Sequence, residues 1–458
     1  MKIKDNRHGL VNKVVRWVLP FYLIAFLPFN AMAQIEVDDE DDVNDEDEIV
    51  VTDQTGNEEI IEFPEAMTYD LDSLLNLYMA KTYLDENDCN MRDENPTYTK
   101  EEYVERLSRI PTVMEMAYND VVQKFIDRYS GRLRRSISYM LGASNFYMPI
   151  FEEALEMYQL PLELKYLPII ESALNPTAVS RVGASGLWQF MIGTGKQYGL
   201  QVNSLVDERR DPVKSSYAAA RYLKDLYRIF GDWNLVIAAY NCGPENINKA
   251  IRRANPTTAK GQDGEATPVI KDYWHIYPYL PRETRGYVPA FIAANYIMTY
   301  YSQHNICPMS TRLPAKTDTV IVSRNLHLEQ VAEVVGINID LLRSLNPMYR
   351  RDVLPGATGP CALRLPQTEV GKFIDLEDSV YNYKSDELFN KRTEVEVKDD
   401  VPTYYHKSKR TVRGKKGRVT KRTVRTKSRR TTATRRKTTT KKTTTTTKRK
   451  TTTKKRRR

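Results

Sequence analysis

From about residue 64 to residue 303, apolar side chains recur at the three-to-four-residue spacing of helices that bury one face. The pattern predicts helices over residues 70–83, 113–129, 148–158 and 162–174. Helix punctuation agrees with it. Asp232 stands as an N-cap before Trp233-Asn234-Leu235-Val236-Ile237-Ala238-Ala239-Tyr240, and Gly243-Pro244 ends that helix. No series of alternating strands interrupts this stretch, so a mainly α fold is expected. Residues 308–315 read as a linker. Beyond them Thr319-Val320-Ile321-Val322 reads as a strand, residues 328–335 and 339–345 as two short helices, and residues 361–365 as a returning strand. This is a compact β-α-α-β unit.

With 458 residues the chain exceeds what one core usually serves, so one medium domain with attachments, or two domains, is expected. The net charge of +10 hides an asymmetry: residues 407–458 hold 26 Lys or Arg and no Asp or Glu. The rest of the chain is acidic. Lys2, Lys4, Arg7, Lys13 and Arg16 precede an apolar stretch from Trp17 to Phe29, followed by Ala31-Met32-Ala33 before Gln34. A basic start, a short apolar middle and a small-x-small site read as a secretory signal over residues 1–33. A membrane anchor is the alternative, and the stretch is shorter than the ~20 residues that a span needs. No Cys stands near the expected cut, so no lipid anchor is expected.

Residues 35–62 carry 14 acidic side chains and no Lys or Arg, a self-repelling composition expected to stay disordered over 34–63. The Lys/Arg/Thr tail, 407–458, lacks the apolar residues of a core and is likewise expected to be disordered. Such a tail binds polyanions with strong salt dependence. Behind an export signal the expected polyanions are anionic envelope polymers or lipid, and the acidic segment 36–62 could itself be one. Nucleic acid is not expected, since no aromatic residue interleaves the basic run. The cysteines, Cys89, Cys242, Cys307 and Cys361, lack metal-ligand spacing. Cys307 and Cys361 bracket the small module and could pair in an oxidising compartment, free buried thiols being the alternative.

One carboxylate has an unusual setting. In Leu162-Glu163-Leu164-Lys165-Tyr166-Leu167-Pro168-Ile169-Ile170-Glu171-Ser172-Ala173-Leu174-Asn175-Pro176, Glu171 closes an apolar helix. The negative end of the helix dipole and desolvation by Ile169 and Ile170 both disfavour its ionisation. A raised pKa suits a general acid, although on this segment alone a surface Glu at a helix end is the commoner explanation.

The neighbouring blocks change that balance. Ser180-Arg181-Val182-Gly183-Ala184-Ser185-Gly186-Leu187-Trp188-Gln189-Phe190-Met191, then Ala239-Tyr240-Asn241-Cys242-Gly243, then Glu283-Thr284-Arg285-Gly286-Tyr287-Val288-Pro289 follow Glu171-Ser172 in order. Together they resemble the soluble lytic transglycosylase domain, in the arrangement of the membrane-bound lytic transglycosylase D type, over roughly residues 100–305. The resemblance implies a lysozyme-like helical catalytic domain at 145–305, behind a helical N-terminal region at 64–144. It implies Glu171 as the single catalytic acid. Ser172 is implied to steady the carboxyl or a substrate acetamido group, Gln189 and Asn241 to hydrogen-bond sugar, Tyr240 to line the floor and Tyr287 to approach Glu171. Phe190 and Met191 supply apolar wall on this reading. Taken singly, Trp188, Tyr240 and Phe190 are more often core than site.

Ordinary glycosidases use two carboxylates. The resemblance implies one, protonating the oxygen between MurNAc and GlcNAc and then taking the proton of the MurNAc C6 hydroxyl as a 1,6-anhydro ring closes. No metal or cofactor is implied. Asp207, Glu208 and Asp211 are candidate second carboxylates, expected instead to pair with Arg209, Arg210 or backbone amides. If one faced Glu171, hydrolysis by a muramidase mechanism becomes the alternative; a non-catalytic peptidoglycan-binding protein is another. Peptidoglycan glycan strands are the expected partner.

Residues 318–367 resemble a LysM module through Leu328-Glu329-Gln330-Val331-Ala332, Ile339-Asp340-Leu341-Leu342-Arg343-Ser344-Leu345-Asn346-Pro347 and Val353-Leu354-Pro355-Gly356. Its opening departs from the usual Tyr-x-Val strand followed by Gly-Asp-Thr-Leu, being Val320-Ile321-Val322-Ser323-Arg324-Asn325-Leu326-His327, which weakens the expectation of glycan affinity more than that of the fold; a purely packing role against the catalytic domain is the alternative. A linker at 368–406 is expected to follow. Gly193-Thr194-Gly195-Lys196 is not a phosphate loop, because the frame needs Gly where Phe190 stands.

Overall fold

A computed structural model describes residues 48–52, 58–67, 94–255, 269–389 and 394–397. The expected helix at 70–83, the export signal and the basic tail lie outside these residues.

Thr99 opens helix α1 (Lys100–Arg109) with a reciprocal cap: Glu102 N donates to Thr99 Oγ1 at 3.3 Å and Thr99 N to Glu102 Oε2 at 2.8 Å. Helix α2 (Asp120–Ser130) starts later than the apolar spacing suggests, because the Asn119 side chain accepts the Val122 amide at 3.0 Å and fixes the first turn there. The expected helix at 148–158 is the end of the longer α3 (Arg134–Met157). The segment 162–174 divides into a 3₁₀ turn (Leu162–Tyr166) and the short α4 (Leu167–Ser172), with Pro168 in its first turn, where a missing N–H costs nothing. Helix α5 (Pro212–Phe230) is capped by Asp211 and α6 (Trp233–Cys242) by Asp232, as the sequence predicts for the second. Helix α7 (Arg282–Tyr300) is buried nearly all round and packs against α2, α4 and α6, so the helical core forms about it.

Two stretches of the acidic segment, residues 48–52 and 58–63, depart from the expected disorder, and the rest of it lies outside the described residues. Strands β1 (Glu48–Thr52) and β2 (Glu58–Glu62) pair antiparallel. Ile61 is fully buried, and Phe63 stacks edge-on against Phe125 with ring centroids 5.0 Å apart. Two apolar anchors that reach the helical core outweigh the repulsion of their charged neighbours. Gly286 of α7 makes the approach possible: a Cβ there would stand 2.5 Å from the Glu62 carbonyl.

After the helical domain, β3 (Thr317–Val322) pairs antiparallel with β6 (Cys361–Pro366), and β4 (Asn325–His327) with β5 (Val353–Pro355). Between them lie a short helix at Leu328–Val331 and α8 (Ile339–Leu345). The expected β-α-α-β order holds, with an extra strand pair. The expected linker does not hold throughout. Helices Val370–Asp375 and Glu377–Asn382 put Phe373, Val380 and Tyr381 into the module's core, and Glu396 pairs with Asn203 of the helical domain. Cys307 is disulfide-bonded while Cys361 and Cys242 carry free thiols, so Cys307 and Cys361 do not pair.

The module docks through backbone. Val206 bridges Tyr349, the Asp207 amide donates to Met348 O at 2.9 Å, and the Arg350 amide donates to Leu205 O at 2.7 Å. Leu205 and Val206 thereby join the module's core. Among the described residues no helix is long and apolar enough to cross a membrane.

Candidate active site

Glu171 lies in the last turn of α4, and the chain then passes through two non-glycine residues in the left-handed region, Ala173 at φ 50° and Leu174 at φ 59°. That costs conformational energy and turns the backbone sharply, leaving the Glu171 side chain facing a cleft of about 350 Å³. Tyr287, buried on α7, donates its hydroxyl to Glu171 Oε1. Burial raises the Glu171 carboxyl to about 8, against the Tyr287 hydrogen bond that stabilises the anion; the charges of Glu283 and Glu65 add to the rise. Near neutral pH the group is therefore a competent proton donor.

The opposite wall comes from the 180–191 segment. Gly186, at φ +91°, packs so tightly that a Cβ would stand 1.9 Å from the Arg209 carbonyl. Gln189 is itself left-handed, at φ 46°, and its Nε2 donates to Gly186 O at 2.7 Å, which holds the side chain at the cleft. Trp188 is fully buried and donates Nε1–H to Ser216 Oγ at 2.9 Å, so it is core. Phe190 and Met191 line the cleft beside it. From the end of α6, Tyr240 and Asn241 complete the surround: Tyr240 donates to Trp188 O at 2.8 Å, and Asn241 Oδ1 accepts from Thr284 Oγ1 at 2.8 Å.

Glu171, Gln189, Phe190, Met191, Tyr240, Asn241 and Tyr287 thus meet around one cavity. Ser172 does not join them. Its buried hydroxyl donates to the Pro168 and Leu187 carbonyls, both at 3.0 Å, tying α4 to the Gly186–Trp188 turn instead of reaching the carboxyl or a ligand.

The expected second carboxylates are elsewhere. Asp207 is buried, with Arg209 Nη2 at 2.9 Å and Arg350 Nη2 at 2.6 Å. Burial alone raises such a group, yet the hydrogen bonds and charges of Arg209 and Arg350 hold it below the ordinary aspartate range. Glu208 pairs with Lys214, and Asp211 caps α5 through the Val213 and Lys214 amides at 2.9 and 3.0 Å. The carboxylates that do line the cleft are Glu65 and Glu283, which sequence reading missed as site residues. Glu283 stood inside a recognised block; Glu65 had no local signal at all. Burial raises Glu283 as well, opposed by a hydrogen bond with Asn241.

The transglycosylase SLT domain family matches residues 148–261, and the LysM-like domain of lytic transglycosylase MltD matches residues 316–382. Membrane-bound lytic murein transglycosylase D of Escherichia coli (strain K12) is 35% identical over 209 residues, 45% of this chain and 43% of that protein. Membrane-bound lytic murein transglycosylase F of Maricaulis maris is 29% identical over 184 residues, 37% of this chain and 36% of that protein. The 70 kDa soluble lytic transglycosylase Slt70 of Escherichia coli aligns with 53% of this chain and 44% of its own at 18% identity, with a TM-score of 0.28, too low to carry an argument. The match spans under half the length of the curated relative at 35% identity. The chain therefore carries a transglycosylase SLT domain at residues 148–261 and an MltD-type LysM-like domain at residues 316–382.

Proposed function

We propose that this protein is a peptidoglycan lytic transglycosylase that cleaves the MurNAc-β-1,4-GlcNAc bond of cell-wall glycan strands. The observation that carries the reading is the buried carboxyl of Glu171, which burial raises to about 8, hydrogen-bonded by Tyr287 in a cleft walled by amide and aromatic side chains. Glu171 gives its proton to the bridging oxygen as the C1–O bond breaks and positive charge develops at C1 and the ring oxygen. The resulting carboxylate takes the proton of the C6 hydroxyl of the same MurNAc while O6 bonds to C1. Acid becomes base, a 1,6-anhydro end forms, and no water is consumed. Gln189 and Asn241 hydrogen-bond the sugars, Phe190 and Met191 pack their apolar faces, and Tyr240 forms the floor. Tyr287 orients the carboxyl. The LysM-like module holds the glycan nearby, and the export signal with the basic tail places the enzyme in the periplasm, on the cell envelope.

Hydrolysis of the same bond is the second reading, favoured by Glu65 and Glu283 in the cleft rather than by Asp207 or Asp211. Digestion of purified peptidoglycan, with the products weighed, separates the two. Anhydro-ended products one water lighter than muramidase products, absent with Glu171→Gln, support the transglycosylase. Reducing ends that vanish with Glu283→Gln support hydrolysis. A positioned acid contributes about 10² to 10⁴ in rate, so Glu171→Gln activity within a few-fold of the parent sinks both.

A further inference from the structure

On the other side of the 183–190 turn from the catalytic cleft, at the seam between the helical domain and the LysM-like module, lies a second cavity of about 460 Å³. Arg210 and Thr177 line it from the helical domain, and Arg343, Arg350 and Arg351 from the module. We infer that this seam cavity binds a carboxylate of the peptides that hang from the glycan strand, an inference that rests on the peptidoglycan reading above.

Arg343 is already paired with Asp340 at 3.1 Å and with Asp352 at 2.8 Å, but around Asp207 the charge is not balanced. The single Asp207 carboxylate faces three guanidiniums, with Arg350 at 2.6 Å, Arg209 at 2.9 Å and Arg210 at 3.9 Å. Arg350 spends Nη2 on Asp207, yet its Nε is buried without a hydrogen-bond partner among the described residues. Arg210 is held below the ordinary arginine value, by burial first and then, against the pull of Asp207, by crowding with Arg350 and Arg209. An oxyanion relieves each of these costs, and planar guanidinium groups suit a carboxylate best because they can meet it with paired N–H donors. Arg351 and Asp352 at the rim both have left-handed backbones, at φ 58° and 59°, the sort of strain that persists where a side chain must be aimed.

The seam also has access to the substrate. Arg210 Nε donates to Ser185 Oγ at 3.1 Å, and the Ser185 amide pairs with the carbonyl of Phe190, whose side chain lines the catalytic cleft. One backbone layer therefore separates the two cavities. A pendant peptide gains about 3.3–3.6 Å per extended residue, so a few residues from the strand reach over that layer. In a peptide-bearing strand the MurNAc lactyl group is tied up as an amide, so the sugars are neutral and the free carboxylates are those of the peptides.

The test compares the full-chain parent with Arg351→Glu and Arg343→Gln on peptide-bearing glycan and on the same glycan with its peptide carboxylates amidated, because removing the peptides with an amidase would leave a free lactyl carboxylate on each MurNAc. Thermal melts verify that the variants fold. The expected result is that the ratio of kcat/KM on peptide-bearing to peptide-amidated strands falls about tenfold, through KM rather than kcat, in both variants. An unchanged ratio in folded variants overturns the inference. Calorimetric titration with inorganic phosphate distinguishes the anion's source: phosphate binding that is lost in Arg351→Glu, together with an unchanged ratio, assigns the cavity to phosphate and overturns the peptide assignment. Should the parent cleave neither glycan, the enzymatic reading fails. The seam is then judged by calorimetry with a short peptide of free C-terminal carboxylate, whose binding to the parent but not to Arg351→Glu supports the inference and whose failure to bind the parent overturns it.

Discussion

The Tyr287 hydroxyl donates to Glu171 Oε1, joining the second turn of the buried helix α7 to the last turn of α4. The contact works in two directions: it orients the carboxyl, and it favours the anion against the burial that favours the acid. Tyr287→Phe therefore raises the Glu171 pKa further. A hydrogen bond to a charged group contributes about 1.5–3 kcal/mol, so the alkaline limb of the kcat/KM profile is expected to move up by about 1–2 pH units, with a lower maximum as orientation is lost. A limb that stays in place or moves down contradicts the assignment of Glu171 as the acid.

The same raised value makes a stability prediction. Folding favours the neutral carboxyl, so the stabilising contribution of Glu171 is fully present below its ordinary value of 4.5 and is lost as pH rises through about 8. Glu171→Gln is neutral at every pH. Its melting temperature should match the parent's in acid, then exceed it by a margin that grows between about pH 4.5 and 8 and is constant above. Differential scanning calorimetry across that range checks this without any assay of activity.

Asp207 connects the module to the cleft wall. Arg209, which it pairs, also donates to the Gly183 and Phe190 carbonyls at 2.9 and 3.0 Å, while Arg350 brings in the module. Replacing one member of a buried ion pair costs about 3–5 kcal/mol, because the partner charge stays buried. Asp207→Asn is expected to lower the urea midpoint by a corresponding amount. A loss below about 1 kcal/mol would show that solvent already compensates those guanidiniums.

Gly186 and Gly183 form a matched pair. Both have positive φ, +91° and +87°, but a Cβ at Gly186 meets the Arg209 carbonyl at 1.9 Å whereas one at Gly183 meets nothing within 4 Å. Gly183→Ala should cost only the left-handed backbone penalty, roughly 1–2 kcal/mol. Gly186→Ala should cost clearly more, and its cleavage rate should fall as the wall bearing Gln189 shifts; chemical denaturation of the two variants side by side measures the difference.

What could be read from the chain alone was local. The helical period, the Asp232 cap, the Gly243-Pro244 stop and the module's strand and helix order all arise from interactions within a few residues, so they are visible in linear order. The blocks around Glu171, Gln189, Tyr240 and Tyr287 were legible too, because each is a contiguous run. Long-range packing decided the rest. Successive side chains on a helix diverge by about 100°, so with Glu171 facing the cleft its neighbour Ser172 turns toward Leu187 and becomes a tie. Ile61 and Phe63 look like minor interruptions in an acidic run until α7 and Phe125 offer them a core. Glu65 is separated in sequence from every recognised block, and only the packing of β2 on α7 and of the 3₁₀ turn Glu65–Met67 on α4 carries it to the cleft. Asp207 read as a candidate second acid; the module's Arg350, more than a hundred residues away, makes it part of a domain seam. Local sequence specifies elements and their ends through short-range hydrogen bonds and apolar period. Which charges meet, and which are buried, depends on contacts whose partners are distant in the chain, and those exist only once it has folded.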